Sequence, residues 1–402
     1  MCNSCDGAEM SDDPPAPARR EVLLAGAALA AAPLLAGAAN AVQARSDVAA
    51  SVGVGSSKVR AWAASSRDAR FMPVEISRRA LGPRDVRIEI LYAGICHSDI
   101  HTARSEWGPA TYPIVPGHEI VGRVTAVGPQ VTKFKAGDVA GVGCMVDSCG
   151  TCASCLADRE QNCLNGATFT YDSPDKVSGG VTHGGYSKAI VVTEGFAIRI
   201  PPGANLASMT PILCAGITTF SPMQHWRLAG GQRVGVIGLG GLGHMAVKLA
   251  VARGAEVTVF TTTPAKVEDA RRMGAREAVL WSDTAAMQHL ARRFDLIIAT
   301  VPRAFPVQQF MNLLKLDATL VNVGALESIG GLDGMANGFG RRSFAGSMIG
   351  GIAETQQVID YCAARNISAE VEIITPDQID AAYDRVVGKD VRYRFVIDMA
   401  AA

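Results

Sequence analysis

The chain carries no net charge. Its 38 lysines and arginines balance 38 aspartates and glutamates, so no excess of either sign draws it to nucleic acid or to an anionic membrane. It has no internal repeat and, beyond its first residues, no long low-complexity segment, which rules out an array of repeated units. The apolar stretch near its start is short of bulky side chains, so a permanent membrane span is not expected there. What remains is an ordinary globular composition, 48% apolar and 19% charged over 402 residues. That length exceeds one compact core, and two domains are expected.

Residues 1–45 stand apart from the rest. Arg19-Arg20 precede Val22-Leu23-Leu24-Ala25-Gly26-Ala27 and further alanine-rich sequence, and Ala39-Asn40-Ala41 has the small-x-small pattern of a cleavage site. These features resemble a twin-arginine export signal, a route for folded, cofactor-loaded proteins, and imply a periplasmic location. The plainer reading is an alanine-rich extension on a cytoplasmic protein. Residues 46–57, rich in Ser, Gly, Ala and Val, read as a linker.

From residue 58 to about 205 the chain alternates short apolar segments with Gly and Pro. Val86–Tyr92, Ile120–Gly128, Val139–Val142 and Ala189–Val192 read as strands. The texture then changes. Residues 206–229 read as helical, and buried strands at 233–237, 257–260, 296–300 and 319–323 are separated by helical patterns such as 243–253. Strands spaced in this way predict an α/β domain with a doubly wound parallel sheet over about 206–352. The segment 353–402 carries one clear helix, 353–365, and a final strand, 393–397, which is expected to fold back onto the first domain.

Ten cysteines are many for disulfides in a cytosolic chain. Cys149, Cys152, Cys155 and Cys163 form a Cys-x2-Cys-x2-Cys-x7-Cys run whose spacing suits a closed four-sulfur structural zinc; in an oxidising compartment two disulfides are the alternative. Cys96, His118, Glu119 and Cys214 form a looser set of sulfur, imidazole and carboxylate, the composition of a zinc site with a position open to substrate. Asp99 is placed to orient one of its ligands. Ser98 and His101 lie close to Cys96 and, on spacing alone, serve equally as polar loop residues. Cys2, Cys5, Cys144 and Cys362 remain, and Cys362 reads as a small buried hydrophobe.

Gly238-Leu239-Gly240-Gly241-Leu242-Gly243 follows a strand and opens a helix, the context that a dinucleotide loop needs. The next strand runs into Thr261-Thr262-Thr263-Pro264-Ala265-Lys266. An NAD site would place Asp or Glu at that point. Three hydroxyls and a lysine suit a 2′-phosphate instead, so NADP(H) is favoured over NAD(H); the alternative is that the threonines merely end the strand and cap a helix. Two metal sets and a nucleotide loop together point to a zinc-dependent alcohol or aldehyde oxidoreductase.

With these residues in place the chain resembles the zinc-dependent medium-chain alcohol dehydrogenases, and among them the cinnamyl alcohol dehydrogenase group of NADPH-dependent aldehyde reductases. The matching stretches are Ala93–His101, Tyr112–Glu119, Cys214–Pro222, the glycine loop and Gly346–Gly351, and the resemblance runs from about Arg60 to Met399. It implies a GroES-like β-rich catalytic domain interrupted by a Rossmann domain, a homodimer, and two zinc ions per chain. It implies that Cys96, His118 and Cys214 hold a catalytic zinc, with Glu119 a displaceable fourth ligand. By the same resemblance Ser98 and His101 match a proton relay, His97 and Thr218 match cofactor contacts, and Thr261, Thr262, Thr263 and Lys266 match the NADP(H)-selecting region. Trp107 and Tyr112 either line the substrate pocket or pack as aromatics. The substrate expected is a small aldehyde or alcohol. Rival readings are a polyol or secondary-alcohol dehydrogenase of the same superfamily, and a non-catalytic zinc- or nucleotide-binding protein. The family is ordinarily cytosolic, so either the export reading is wrong, the cofactor travels with the folded chain, or turnover depends on another arrangement.

Overall fold

A computed structural model describes residues 55–324 and 327–401. Arg19-Arg20, the small-x-small pattern, Cys2 and Cys5 lie outside the described residues.

The β-rich half is organised around the strand Asp85–Gly94. It pairs antiparallel with Ile120–Val127, with Ala189–Thr193 and, at its far end, with Arg394–Asp398 near the C-terminus, where Val396 lies opposite Gly94. Val86, Ile88 and Ile90 alternate into the core at no more than 1% exposure, the period-two pattern that made the strand legible. The sheet has seven strands, and the last of the chain, Arg394–Asp398, sits between Asp85–Gly94 and Val371–Ile374. The chain end therefore completes the sheet that its first half began.

The other half is a six-stranded parallel sheet. Its spatial order is Glu277–Leu280, Glu256–Thr261, Arg233–Ile237, Phe294–Ala299, Leu314–Asn322, Ser343–Gly346, which is 3-2-1-4-5-6 in chain order. Such a sheet binds ligands where the order reverses, here beyond the C-terminal ends of Arg233–Ile237 and Phe294–Ala299. Its strands are buried on both faces. Leu296 and Ile298 join one hydrophobic cluster, while Ile297 and Ala299 join another, which explains the unbroken apolar runs in the sequence.

The strands Glu277–Leu280, Ser343–Gly346 and Val371–Ile374 are absent from the sequence reading, and two further differences concern helices. The helix expected over 206–229 is broken into Leu206–Met209, a tight turn Thr210–Leu213 and Ala215–His225, with Cys214 at the break (φ −127°, ψ −66°). Pro211 inside the turn supplies the interruption. The C-terminal segment carries a second helix, Ile379–Val387, which buries Ile379, Ala382, Tyr383 and Val386, an i, i+3, i+4, i+7 stripe. Its start is disguised by Pro376-Asp377-Gln378, which forms a single 3-10 turn. Cys362 is fully buried on the helix Ile352–Ala364, as expected.

His244, the residue after the glycine loop, is fully buried and stacks on Tyr393 with ring centroids 5.3 Å apart and planes 10° apart. Neither ring nitrogen has a hydrogen-bond partner. Burial holds its pKa down to about 3, so the folded protein keeps it neutral. The unfolded chain takes up this proton below about pH 6.5, so stability falls with pH from there down to the folded value. His244→Phe keeps the stack and removes the titration. Urea unfolding at pH 6.5 and pH 5 is expected to show wild type losing about 2 kcal/mol more than the variant; equal losses would contradict the assignment.

Candidate active site

The looser metal set converges. Cys96, His118, Glu119 and Cys214 are all buried, and one ligand atom from each lies within 4.8 Å of the others. Three local features place them. Cys96 precedes the short helix His97–Ala103, and its N–H donates to Asp99 Oδ2 at 2.8 Å. Asp99 Oδ1 accepts from the Gly117 N–H at 3.1 Å and from His118 Nδ1 at 3.0 Å, which fixes the imidazole and leaves its other nitrogen for the cluster. Cys214 enters through the helix break described above.

The groups of this set perturb one another strongly. Asp99 raises the pKa of His118 well above the usual range, although burial opposes it. The hydrogen bond from Cys214 draws the Cys96 thiol well below its ordinary pKa, while Cys144 and then Cys96 push Cys214 well above it. Glu119 bonds through Oε1 to the guanidinium of Arg394, and its Oε2 is buried without a partner. A buried, unpaired carboxylate oxygen among two sulfurs and an imidazole is costly without a metal. The donors fit zinc.

A cleft of about 450 Å³ joins this set to the parallel sheet. Cys96, His97, Ser98, His101, Cys214 and Thr218 line it together with the Gly238–Leu242 loop and Thr261, Thr262, Thr263 and Lys266. Gly238 has φ +90°, closed to most side chains, and a Cβ on Gly243 would overlap the Gly238 carbonyl, while Gly240 has nothing within 4 Å of where a Cβ would stand. The loop thus offers bare backbone at the start of the helix Gly243–Ala252, as a pyrophosphate site requires. No carboxylate follows the strand Glu256–Thr261. The Thr261 hydroxyl accepts from the Thr263 N–H at 3.1 Å, so it shapes the turn. Lys266 is buried, and its ammonium donates to Leu239 O at 2.9 Å; it braces the loop from the cleft side.

Ser98 and His101 both face the cleft from the helix His97–Ala103. Ser98 Oγ lies 3.7 Å from Cys96 Sγ. His101 Nδ1 meets Glu106 Oε2 at 2.5 Å, and its Nε2 is buried without a partner. Trp107 stacks on His101 at 4.8 Å and lines the cleft. Tyr112 does not line it; its hydroxyl donates to Ala103 O at 2.8 Å and the ring packs on the core. His97 is held neutral by burial.

The four-cysteine run is a second convergent set. Its sulfurs are free, with Cys152 and Cys155 3.5 Å apart and Cys149 and Cys155 3.9 Å apart, spacings far beyond a disulfide bond. Backbone N–H groups aim at them: Cys152 N at Cys149 Sγ (3.4 Å), Leu164 N at Cys152 Sγ (3.4 Å) and Cys149 N at Cys163 Sγ (3.5 Å). The amides of Thr151 and Cys152 bring Cys149 down to about 5. Four sulfurs around one point, three of them met by backbone N–H groups, form a metal knuckle.

Two residues escaped the sequence reading. Glu106 lies outside the helix that carries His101 and has no periodic signal. Arg394 does have one: an arginine opening the apolar run Phe395-Val396-Ile397, where a charge is tolerated only if paired.

Comparison with known proteins agrees with this geometry. Residues 82–202 match the alcohol dehydrogenase GroES-like domain, and residues 241–390 match the zinc-binding dehydrogenase family. An NADP-dependent alcohol dehydrogenase C of Mycobacterium tuberculosis is 51% identical over 86% of this chain and 99% of its own. The aldehyde reductase YahK of Escherichia coli is 49% identical over 85% of this chain and 98% of its own. The structure of a cinnamyl alcohol dehydrogenase from Helicobacter pylori complexed with NADP(H) superposes with a TM-score of 0.81 at 42% identity, over 86% of this chain and 99% of that one.

Asp99→Asn tests how the cluster is held. Loss of the carboxylate is expected to weaken zinc at the buried site about 10–100-fold. Competition with a chelator should then strip one zinc per chain ahead of the other, whereas equal retention in wild type and variant would remove Asp99 from its orienting role.

Proposed function

The chain belongs to the zinc-binding alcohol dehydrogenase family, and from that premise we propose that it interconverts aldehydes and primary alcohols with NADP(H). One observation carries the reading: a single cleft is lined by sulfurs of the buried metal set and by the bare glycine loop.

Cys96, His118 and Cys214 hold a catalytic zinc, and Glu119 stands beside them as a fourth donor shared with Arg394. Cys149, Cys152, Cys155 and Cys163 hold a structural zinc that stabilises their lobe. When bound, zinc supplies a Lewis acid for the carbonyl oxygen and NADPH supplies the reducing equivalents. The chain's own residues handle the proton. Ser98, beside the metal set, gives a proton to the substrate oxygen or takes one from it. Glu106 at His101 Nδ1 holds the ring with Nε2 left to take or pass a proton. Trp107 fixes the plane of that ring. His97 and Thr218 bind the cofactor from the β-rich side, and Gly238–Gly243 from the other. Thr262 and Thr263 present polar groups without a repelling carboxylate, which favours the phosphorylated cofactor.

Other features support a reading of the assembly and the location. The strand Ser343–Gly346 is an open sheet edge, and the helix before it, Gly334–Gly340, exposes Met335 and Phe339 at 75% and 87%, which favours a homodimer formed on that side. The paired arginines and the alanine-rich run after them favour export through the twin-arginine machinery to the periplasm, with the cofactor carried inside the folded chain.

NADPH and NADH oxidation by the purified protein against benzaldehyde, cinnamaldehyde and short aliphatic aldehydes, with zinc measured on the same sample, tests the reading. NADPH-dependent turnover with two zincs per chain is expected. Two zincs with no turnover on any aldehyde would overturn it. Glu106→Ala is expected to lower kcat roughly tenfold while KM for the aldehyde changes little; an unchanged kcat would place Glu106 outside the relay.

A further inference from the structure

The adenosine end of the cleft has a second wall, built by the segment between the helix Ile379–Val387 and the final strand. Lys389 in this segment lines the cleft together with Thr262, Thr263 and Lys266. The neighbouring cations are already engaged. Lys266 donates to Leu239 O at 2.9 Å, Arg392 pairs with Asp269 at 2.8 Å, and Arg394 pairs with Glu119. Asp269 is further satisfied by the Tyr393 hydroxyl at 2.6 Å and by Arg272 at 3.4 Å. Lys389, by contrast, is exposed, and its ammonium makes no ion pair or hydrogen bond among the described residues. Its backbone is held, with the N–H donating to Val386 O at 3.1 Å. Its φ is +62°, a conformation that glycine would adopt more readily. A lysine is therefore carried at a glycine-like position on the wall of the cleft.

The charges in this corner do not balance. The ammonium of Lys266, already penalised by burial, is repelled by Arg392 and Lys389 and attracted by Asp269. Such a corner repels itself and is relieved by an anion. We propose that Lys389 is a specificity-determining residue for NADP(H), receiving the phosphate on the adenosine ribose together with Thr262 and Thr263. This rests on the NADP(H) reading above and alters one part of it. A cation for that phosphate comes from the C-terminal segment, in addition to Lys266, whose ammonium also meets Leu239 O. The phosphate is thus held from both halves of the chain, on the same segment that leads to Arg394.

Isothermal titration of the purified, zinc-loaded protein with 2′,5′-ADP and 5′-AMP tests this, using wild type, Lys389→Ala and Lys389→Arg. The alanine variant is expected to bind 2′,5′-ADP about tenfold more weakly, with a shallower dependence on salt, and 5′-AMP within about twofold of wild type; the arginine variant should restore the affinity. Matching melting temperatures would show that the exposed substitution leaves the fold intact. A Lys389→Ala protein that binds 2′,5′-ADP within about twofold of a wild type preferring it to 5′-AMP overturns the assignment of Lys389 and leaves the cofactor reading standing. A wild type without that preference overturns both.

Discussion

The buried pair of Glu119 and Arg394 is the contact on which the arrangement of the site depends. Arg394 is 3% exposed and Glu119 not at all, and neither charge is tolerable in that interior without the other. Glu119 stands at the head of the strand Ile120–Val127, next to His118. Arg394 opens the last strand of the chain. The same arginine lies against the glycine loop, where a Cβ on Gly241 would come within 2.8 Å of its Cδ. One side chain thus touches the carboxylate of the metal set and the backbone of the nucleotide loop. A side chain at Gly241 would press on this arginine, which the C-terminal strand carries into the cleft.

The two cysteine sets show how surroundings separate a structural site from a catalytic one. In the run from Cys149 to Cys163 the donors are all sulfur and backbone amides point at them, so the shell is closed and no atom is left for substrate. Around Cys96 the donors are mixed and buried, one carboxylate oxygen is unpaired, and the cleft opens beside Ser98 and His101. The first arrangement suits a site that stabilises a lobe. The second leaves a donor unpaired beside the cleft that it shares with the glycine loop.

Much of this was legible in the sequence, because local spacing carried it. The Cys-x2-Cys run, the glycine loop between strand and helix, and the period-two alternation of Val86, Ile88 and Ile90 are all short-range signals. The grouping of Cys96, His118 and Cys214 rested on their donor types and on resemblance, since no local pattern links residues so far apart. What stayed hidden depends on tertiary placement. The break at Cys214 lies in a stretch with helical propensity on both sides. The helix Ile379–Val387 is masked by a proline turn. Lys266 has the sequence context of a phosphate ligand, yet its ammonium turns to Leu239, which only the packing of the loop decides. Glu106 reaches His101 because the chain turns after Ala103.

The most direct test follows the hydrogen. Benzaldehyde is reduced with NADPH carrying deuterium at C4 of the nicotinamide, with each face labelled in turn, and the alcohol is analysed by mass spectrometry and NMR. One of the two labelled cofactors is expected to place a single deuterium on the carbinol carbon, with the other leaving it unlabelled. Solvent hydrogen on that carbon with both cofactors would contradict direct transfer within the cleft.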